Sequence, residues 1–293
     1  MKFFIILFFF LQLLGCGSDP SINDSNPVSP KPATSHTGLY SMVEQPVSFS
    51  DVTSLAYEPS KEKLFYGNSE LQYVERWSPI NIESDNDLPV LIFIHGGCWS
   101  NEYRISQSYP IATALALNGF HVWSIEYRAT GDQGGGWPGT YNDIEQALAF
   151  ISSVEDNYYS ERKQVVLGHS AGGHLALLAS SNSDRESTVV GLAAITQLVT
   201  YANESGGCNS LAISFMNGSP DDIPEQYVLA NPQLPKIATN AYLFVGEIDN
   251  IVDTNQATNS GLSFEIAPGA GHFDWIHPGT ASFNVLLDYL LNL

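Results

Sequence analysis

The sequence predicts an α/β fold in which a mostly parallel central sheet is flanked by helices on both faces. The first observation is a set of short, uninterrupted apolar runs, of which 89–94 (Pro-Val-Leu-Ile-Phe-Ile) is an example. Such runs are typical of strands buried on both faces of a parallel sheet. The second observation is that helical patterns separate these runs. Strand–helix alternation through residues 49–293 therefore predicts a single domain of this class.

The other elements follow in chain order. Further strands are predicted from apolar runs at 120–125, 164–167, 189–195, 241–245 and 263–267. Helices are predicted between them at 107–118, 140–154, 171–180 and 281–291. The first helix stops before Gly119, a residue type that commonly ends helices. In the second helix Ile144, Leu148 and Ile151 recur at helical spacing, which predicts a buried stripe.

Two regions carry weaker patterns. Residues 71–77 have β-like character and predict an antiparallel edge strand beside the parallel strands. Residues 196–235 contain Gly206-Gly207 and several prolines, which predict irregular loops. We expect this stretch to contribute a cap over the site. The sequence contains no internal repeat and no pattern of a second domain.

The N-terminal residues predict export. Residues 1–15 begin with Met-Lys and continue with an apolar run of twelve residues, interrupted only by Gln12. A membrane-spanning helix needs roughly 20 residues, whereas a secretory signal peptide needs fewer. Leu13-Leu14-Gly15-Cys16 resembles a bacterial lipoprotein processing site. That resemblance implies lipidation of Cys16 and attachment to the cell envelope, at the outer membrane if the source has one. The alternative is an ordinary signal peptide with a chance cysteine.

Composition restricts the remaining possibilities. Residues 16–48 are rich in Ser, Pro, Asn and Thr, which predicts a disordered tether after the lipidated cysteine. The chain has 31 acidic and 11 basic residues, and this negative charge argues against nucleic acid as a partner. It lacks CxxC and HExxH motifs, so it shows no metal-site signature. Cys98 and Cys208 are compatible with a disulfide or with two free thiols.

The segment Gly168-His-Ser-Ala-Gly172 predicts a nucleophilic serine. It matches G-x-S-x-G, and it lies between a predicted strand and a predicted helix, which is the context that the motif requires. The glycines allow strand and helix to approach closely, so that the hydroxyl of Ser170 lies at the tip of a strained turn. A serine hydroxyl is a weak nucleophile and needs a base.

The base and the acid are predicted from chain order, which in this arrangement is serine, acid, histidine. His272 lies in a glycine-rich loop between the last predicted strand and the last helix, and His277 is its competitor. Asp249 follows a predicted strand by three residues and would orient the imidazole. Asp253 and Glu247 are the alternatives for this role.

The segment His95-Gly-Gly-Cys-Trp99 predicts an oxyanion hole. It follows an early buried strand. In enzymes with a G-x-S-x-G serine, a loop at this position supplies backbone N–H groups that stabilise the tetrahedral intermediate. The expected donors are Gly97, Cys98 and Ala171, and His95 is expected to brace the loop through hydrogen bonds. Trp99 is predicted either to bind the acyl part of a substrate or to pack in the core. His174 is expected to pack.

These motifs together resemble the esterase/lipase branch of the α/β-hydrolases, and within it the kynurenine formamidase-like and feruloyl-esterase-like group. The resemblance covers about residues 50–293 and rests on five segments: His95–Trp99, Glu126–Arg128, Gly168–His174, Gly246–Asp249 and Gly271–Phe273. It implies a single α/β-hydrolase domain, a Ser–His–Asp mechanism and no cofactor. We expect a carboxylic ester as substrate, either a small molecule or an acyl group on a polysaccharide. The alternatives are formamide hydrolysis and an inactive binding protein on the same fold.

Overall fold

The computed structural model describes residues 39–80, 88–154, 162–183 and 187–293. The predicted signal peptide at 1–15, the lipidation site Cys16 and the tether as far as residue 38 lie outside the described residues. Within the described ranges, no helix has the length and hydrophobicity needed to cross a membrane.

Eight strands form one mixed sheet in the described part of the chain, in the order β1-β2-β4-β3-β5-β6-β7-β8. The antiparallel pairs are β1 with β2 and β2 with β4, and all other neighbours are parallel. This arrangement confirms the mostly parallel sheet and the antiparallel strand predicted at 71–77. That strand is not at the edge of the sheet, however, because β1 pairs with its outer side. The strands are β1 Glu62–Phe65, β2 Tyr73–Trp77, β3 Val90–Ile94, β4 His121–Glu126, β5 Gln164–His169, β6 Thr188–Leu192, β7 Ala241–Gly246 and β8 Ser263–Ala267.

Helices cover both faces of this sheet, as predicted. The α-helices are α1 Phe49–Thr53, α2 Tyr109–Leu117, α3 Gly139–Val154, α4 Ala171–Asn182, α5 Leu198–Asn203, α6 Asn209–Met216, α7 Pro224–Ala230, α8 Leu234–Ile237, α9 Asn255–Thr258 and α10 Ala281–Leu291. Short 3₁₀ helices occur at Ile105–Ser108 and Asp274–Ile276.

The central strands divide the core in two. Every residue of β3 is buried, and its side chains alternate between two hydrophobic clusters: Ile92 packs with α3 and α4, whereas Phe93 packs with α2 and α10. The edge strands β1 and β8 are mostly exposed. A strand with helices on both faces buries consecutive residues, because its side chains alternate in direction. This explains the uninterrupted apolar run at the centre.

The segment that was expected to form a cap has a different secondary structure from the predicted one. Residues 196–235 form the four short helices α5 to α8 instead of irregular loops. Proline lies in the first turn of α7 and of α8, where its missing N–H leaves no intrahelical hydrogen bond unmade. The prolines therefore begin helices here. Strand β6 also ends at Leu192, before the predicted end at residue 195.

The chain packs on the domain before residue 49, so the predicted tether boundary at 48 is wrong for its last residues. The backbone N–H of Val43 donates to the carbonyl of Gly279 at 2.8 Å. The side-chain oxygen of Gln45 accepts hydrogen bonds from the backbone and hydroxyl of Ser282, each at 2.8 Å. These contacts are between positions more than 230 residues apart, so the local composition of the segment gave no sign of them.

Candidate active site

Ser170 occupies the turn between β5 and α4 with an unusual backbone conformation. Its φ is 54° and its ψ is −120°, a region that non-glycine residues rarely adopt. The N–H of Ser170 donates to the carbonyl of Leu192 at 2.8 Å, and its carbonyl accepts from His174 N at 3.1 Å. A Cβ on Gly172 would clash with the carbonyl oxygens of Ile94 and His95. The turn therefore requires glycine beside the serine.

Asp249 and His272 lie together, as the sequence predicts. Asp249 Oδ2 lies 2.7 Å from His272 Nδ1, and both side chains are almost completely buried. The other carboxylate oxygen accepts hydrogen bonds from the backbone N–H groups of Ile251 at 2.8 Å and Val252 at 2.9 Å. The loop after β7 thus fixes the carboxylate, and the carboxylate fixes the tautomer in which Nδ1 carries the proton and Nε2 is free to accept one.

The competing residues have other contacts. Asp253 is exposed, and its carboxylate caps the N–H of Asn255 at 2.8 Å. Glu247 accepts from the backbone of Gly269 at 2.9 Å. His277 Nδ1 accepts from Gly279 N at 3.1 Å, and burial lowers its pKa. The structure therefore brings Asp249 to the imidazole of His272 and gives these three residues local roles.

His169 connects the serine turn to the loop of His272, a contact that sequence analysis missed. Its Nε2 lies 3.0 Å from the carbonyl oxygen of His272, and the two rings have centroids 4.7 Å apart. Burial lowers the pKa of His169 to about 3, so the ring is neutral and donates from Nε2. Because His169 is adjacent to Ser170, this hydrogen bond brings the backbone of His272 to the serine turn. No local pattern pairs two residues 103 positions apart.

The His-Gly-Gly loop lies against the same turn. A Cβ on Gly96 would be 2.9 Å from His169 Nδ1 and 3.1 Å from the Cβ of Ser170, so only glycine allows this approach. Gly97, Cys98 and Trp99 all have positive φ, at 115°, 53° and 56°. Three such residues in succession turn the backbone sharply next to the serine.

The backbone donors expected for an oxyanion hole are available. Among the described residues, none accepts a hydrogen bond from the backbone N–H of Gly97 or Cys98. Ala171 is the first residue of α4, and the first N–H groups of a helix have no intrahelical acceptor. These N–H groups lie on the two segments that meet at Ser170.

Buried hydrogen bonds also hold the His-Gly-Gly loop, which is called the oxyanion loop from here on. His95 Nδ1 lies 2.8 Å from the carbonyl of Gly96, and its Nε2 lies 3.1 Å from Glu126 Oε1. Glu126 also accepts from the backbone of Ile105 at 2.9 Å and of Tyr127 at 3.0 Å. These contacts confirm that His95 braces the loop, and they give the Glu-Tyr-Arg segment a structural role.

A disulfide joins the oxyanion loop to the segment 196–235. Cys98 is bonded to Cys208, with Cα atoms 5.6 Å apart and a sequence separation of 110 residues. Cys208 immediately precedes α6. One of the two possibilities left open by the sequence is thereby decided, and the loop that follows β3 is covalently tied to the helical segment 196–235.

Trp99 and His174 lie in the core behind this loop. Trp99 has no exposed surface; its ring stacks on Phe215 at 5.1 Å and meets His174 edge-on at 5.4 Å. This is the packing alternative, and Trp99 has no surface in this conformation through which to contact a substrate. His174 packs as expected: Nε2 lies 2.8 Å from the carbonyl of Ala230, and burial lowers its pKa to about 4.

In the described ranges, no group of three or more His, Cys, Asp or Glu side chains could hold a metal ion. The groups that the structure brings to the turn of Ser170 are the loop of the carboxylate-oriented imidazole of His272 and a glycine-rich loop with backbone donors.

Comparisons with known proteins identify the family to which the chain belongs. The model of the BD-FAE family matches residues 79–260, more than half of the chain. Esterase LipC of Mycobacterium tuberculosis is 25% identical over 242 residues, which cover 72% of this chain. The matched region spans 59% of the length of LipC. Kynurenine formamidase avaC of Aspergillus versicolor is 30% identical over 97 residues, covering 29% of this chain and 33% of the formamidase.

A solved structure of a truncated carbohydrate esterase from gut microbiota shares the fold. It has a TM-score of 0.63 and 20% identity, and the match covers 80% of this chain and 96% of that chain. At this identity the likeness concerns the fold alone. Together with the sheet order, it confirms the predicted single α/β-hydrolase domain.

Proposed function

Because the chain belongs to the BD-FAE family, we propose that it is a serine hydrolase that cleaves carboxylic esters. The observation that carries the proposal is the 2.7 Å contact between Asp249 and His272, in a loop held to the strained turn of Ser170. A buried carboxylate–imidazole pair beside a serine is the arrangement that activates a hydroxyl for nucleophilic attack.

In the proposed mechanism, His272 Nε2 takes the hydroxyl proton of Ser170 as the oxygen attacks the ester carbonyl. A bond forms between Oγ and the carbonyl carbon, and the carbonyl electron pair moves to oxygen. The backbone N–H groups of Gly97, Cys98 and Ala171 stabilise this oxyanion, and one such donor typically contributes about 10²–10³ in turnover. Asp249 stabilises the imidazolium that forms.

Collapse of the tetrahedral intermediate breaks the bond to the alcohol oxygen. His272 donates its proton to that oxygen, and the alcohol leaves an acyl-enzyme on Ser170. Water then attacks the acyl carbon while His272 accepts its proton, and the second collapse releases the carboxylic acid and returns the proton to Oγ. No group outside this chain and water is required.

A substitution of the nucleophile tests this function. Ser170→Ala is expected to reduce hydrolysis of p-nitrophenyl acetate to the uncatalysed rate, because the attacking oxygen is absent. A fluorophosphonate probe is expected to label the wild type and not the variant, and the unfolding midpoint is expected to remain similar. Full activity in a folded Ser170→Ala protein would contradict the assignment, and an unlabelled wild type would favour an inactive binding protein.

Formamide hydrolysis is the second candidate, favoured by the local similarity to kynurenine formamidase avaC. The same groups would attack a formamide carbonyl, with nitrogen as the leaving atom. Comparing kcat/KM for N-formylkynurenine and for a panel of simple esters separates the two functions, since an esterase favours the esters by orders of magnitude.

For the localisation of the protein, we propose export and attachment to the cell envelope through lipid on Cys16. The support is the sequence Leu13-Leu14-Gly15-Cys16 after a short apolar run. At an envelope surface, acyl groups on polysaccharides are accessible substrates, and the proposed location therefore favours this class. Labelling with a clickable palmitate tests the anchor: the wild type is expected to be labelled and Cys16→Ser is not.

A further inference from the structure

Three aromatic rings that the mechanism does not use form a cluster beside His272 and the His-Gly-Gly loop. The ring of Phe49 meets that of Tyr103 edge-on, with centroids 5.5 Å apart and an interplanar angle of 83°. It also contacts Phe273, with centroids 5.5 Å apart and planes inclined by 52°. All three residues are half-buried, whereas Ser170 and His272 are almost completely buried. The cluster therefore presents aromatic surface next to the reacting groups.

The cluster reaches both sides of the proposed reaction centre. On one side, a Cβ on Gly97 would lie 2.7 Å from Cγ of Tyr103, so the tyrosine packs directly on the oxyanion loop. On the other side, the ring of Phe273 meets His272 edge-on, with centroids 4.9 Å apart and an angle of 87°. Phe49 closes the gap between these two rings.

The position of Phe49 is fixed by its short helix. Ser48 and Asp51 form a reciprocal capping box at the start of α1, and Val52 of this helix is fully buried. Asp274 then joins the segment to the loop of His272: one carboxylate oxygen accepts from Val47 N at 3.3 Å, and the other accepts from Gly271 N at 2.6 Å. One buried carboxylate thus holds the backbone before Phe49 and the backbone before His272.

We propose that Phe49, with Tyr103 and Phe273, forms the wall of a leaving-group subsite that selects esters of aromatic alcohols. This inference rests on the proposed function. His272 must protonate the departing oxygen, so the alcohol part of the ester lies on the side of this histidine, where Phe273 and Phe49 are. A flat ring can pack edge-on or offset against such rings, whereas a short alkyl chain covers little of them.

The prediction concerns specificity, so it is tested with three esters. In 2-naphthyl acetate the ring is on the alcohol, in ethyl 2-naphthylacetate it is on the acyl group, and ethyl acetate has none. Phe49→Leu keeps an apolar side chain at the position and removes the ring, and Phe49→Ala removes both. The kcat/KM for 2-naphthyl acetate relative to ethyl acetate is expected to fall about tenfold in Phe49→Ala and by less in Phe49→Leu. The ratio for ethyl 2-naphthylacetate is expected to stay within twofold.

Phe65→Ala is the matched control. Phe65 is a phenylalanine on the edge strand β1 with 53% of its surface exposed, and neither the site nor the cluster includes it. This variant is expected to keep all three rates. The unfolding midpoint of each variant is measured alongside, and Phe49→Leu alone decides the test if Phe49→Ala does not fold.

The outcomes distinguish a failure of the proposed ester hydrolysis from a failure of the proposed subsite. A wild type that hydrolyses none of the three esters and is not labelled by a fluorophosphonate contradicts the proposed function. If the wild type hydrolyses these esters, the variants decide the subsite. Equal losses for all three esters in Phe49→Leu and Phe49→Ala, or no loss for any of them, contradict the subsite and leave the proposed function intact. A loss confined to ethyl 2-naphthylacetate would place the ring contact on the acyl side and would also overturn the inference.

Discussion

Breaking the Cys98–Cys208 disulfide is expected to destabilise the domain and to slow catalysis. The two cysteines are 110 residues apart, so the bond closes a long loop in the unfolded chain. In the chain-entropy treatment, closing a loop of this length lowers the entropy of the unfolded state enough to contribute about 4.8 kcal/mol at 25 °C. Because disulfides commonly deliver less than this value, we expect a loss of about 2–4 kcal/mol in the free energy of unfolding.

The catalytic effect follows from where the bond lies. Cys98 is one of three consecutive residues with positive φ, and its N–H is a proposed oxyanion donor. Without the tie to Cys208, the loop is free to relax toward more favourable backbone angles, which would misdirect the donor. The loss in kcat is expected to be at most that of one oxyanion donor, about 10²–10³.

Urea unfolding measures the stability term. Wild type is unfolded with and without dithiothreitol, and the double variant Cys98→Ala/Cys208→Ala is treated in the same way. With a denaturant slope of about 3 kcal/mol per molar, a loss of about 3 kcal/mol lowers the wild-type midpoint by about 1 M in the presence of reductant. The double variant is expected to unfold at the lower midpoint in both conditions. Identical wild-type midpoints with and without reductant would refute the reasoning.

Two further predictions concern the acid and a buried histidine. In the p-nitrophenyl acetate assay, Asp249→Asn is expected to lower kcat about 10³–10⁴-fold, because an amide no longer enforces the productive tautomer of His272. The control Asp253→Asn is expected to keep kcat within twofold. The opposite ranking of the two variants would transfer the acid role to Asp253. The pKa of His174 is lowered to about 4, so between that value and about 6.5 the unfolded state binds a proton that the folded state does not. Its contribution to stability is therefore complete above about pH 6.5 and is lost as the pH falls toward 4, at about 1.4 kcal/mol per pH unit. Urea unfolding of His174→Gln should show about 2 kcal/mol less acid destabilisation between pH 7.5 and 5 than wild type, and parallel pH profiles would contradict this.

Much of the fold could be predicted because it depends on local patterns. A buried parallel strand needs an uninterrupted apolar run, and β3 is such a run, with every residue buried. The serine turn needs glycine two residues before and two residues after Ser170, and the motif Gly168-His-Ser-Ala-Gly172 shows both in the sequence. Chain order then reduced the acid and the base to a few positions, and the structure pairs Asp249 with His272.

Other features could be interpreted in more than one way from the sequence. Proline is compatible with a loop and with the first turn of a helix, and in the cap the second reading holds. The polar composition of the segment before residue 49 fits a tether, but its backbone groups pair with a distant part of the chain. Local composition does not record which partner a backbone group finds.

The sequence by itself determined the class of fold, and it predicted a nucleophilic serine and the chain order of the residues proposed to activate it. Only the tertiary structure decided the pairing of Cys98 with Cys208, the hydrogen bond from His169 to the loop of His272, and the packing of Phe49 against Phe273. The physical reason is the range of the interactions. Turn geometry and strand burial constrain neighbouring residues, whereas these contacts join residues that only the packing of helices on the sheet brings within reach.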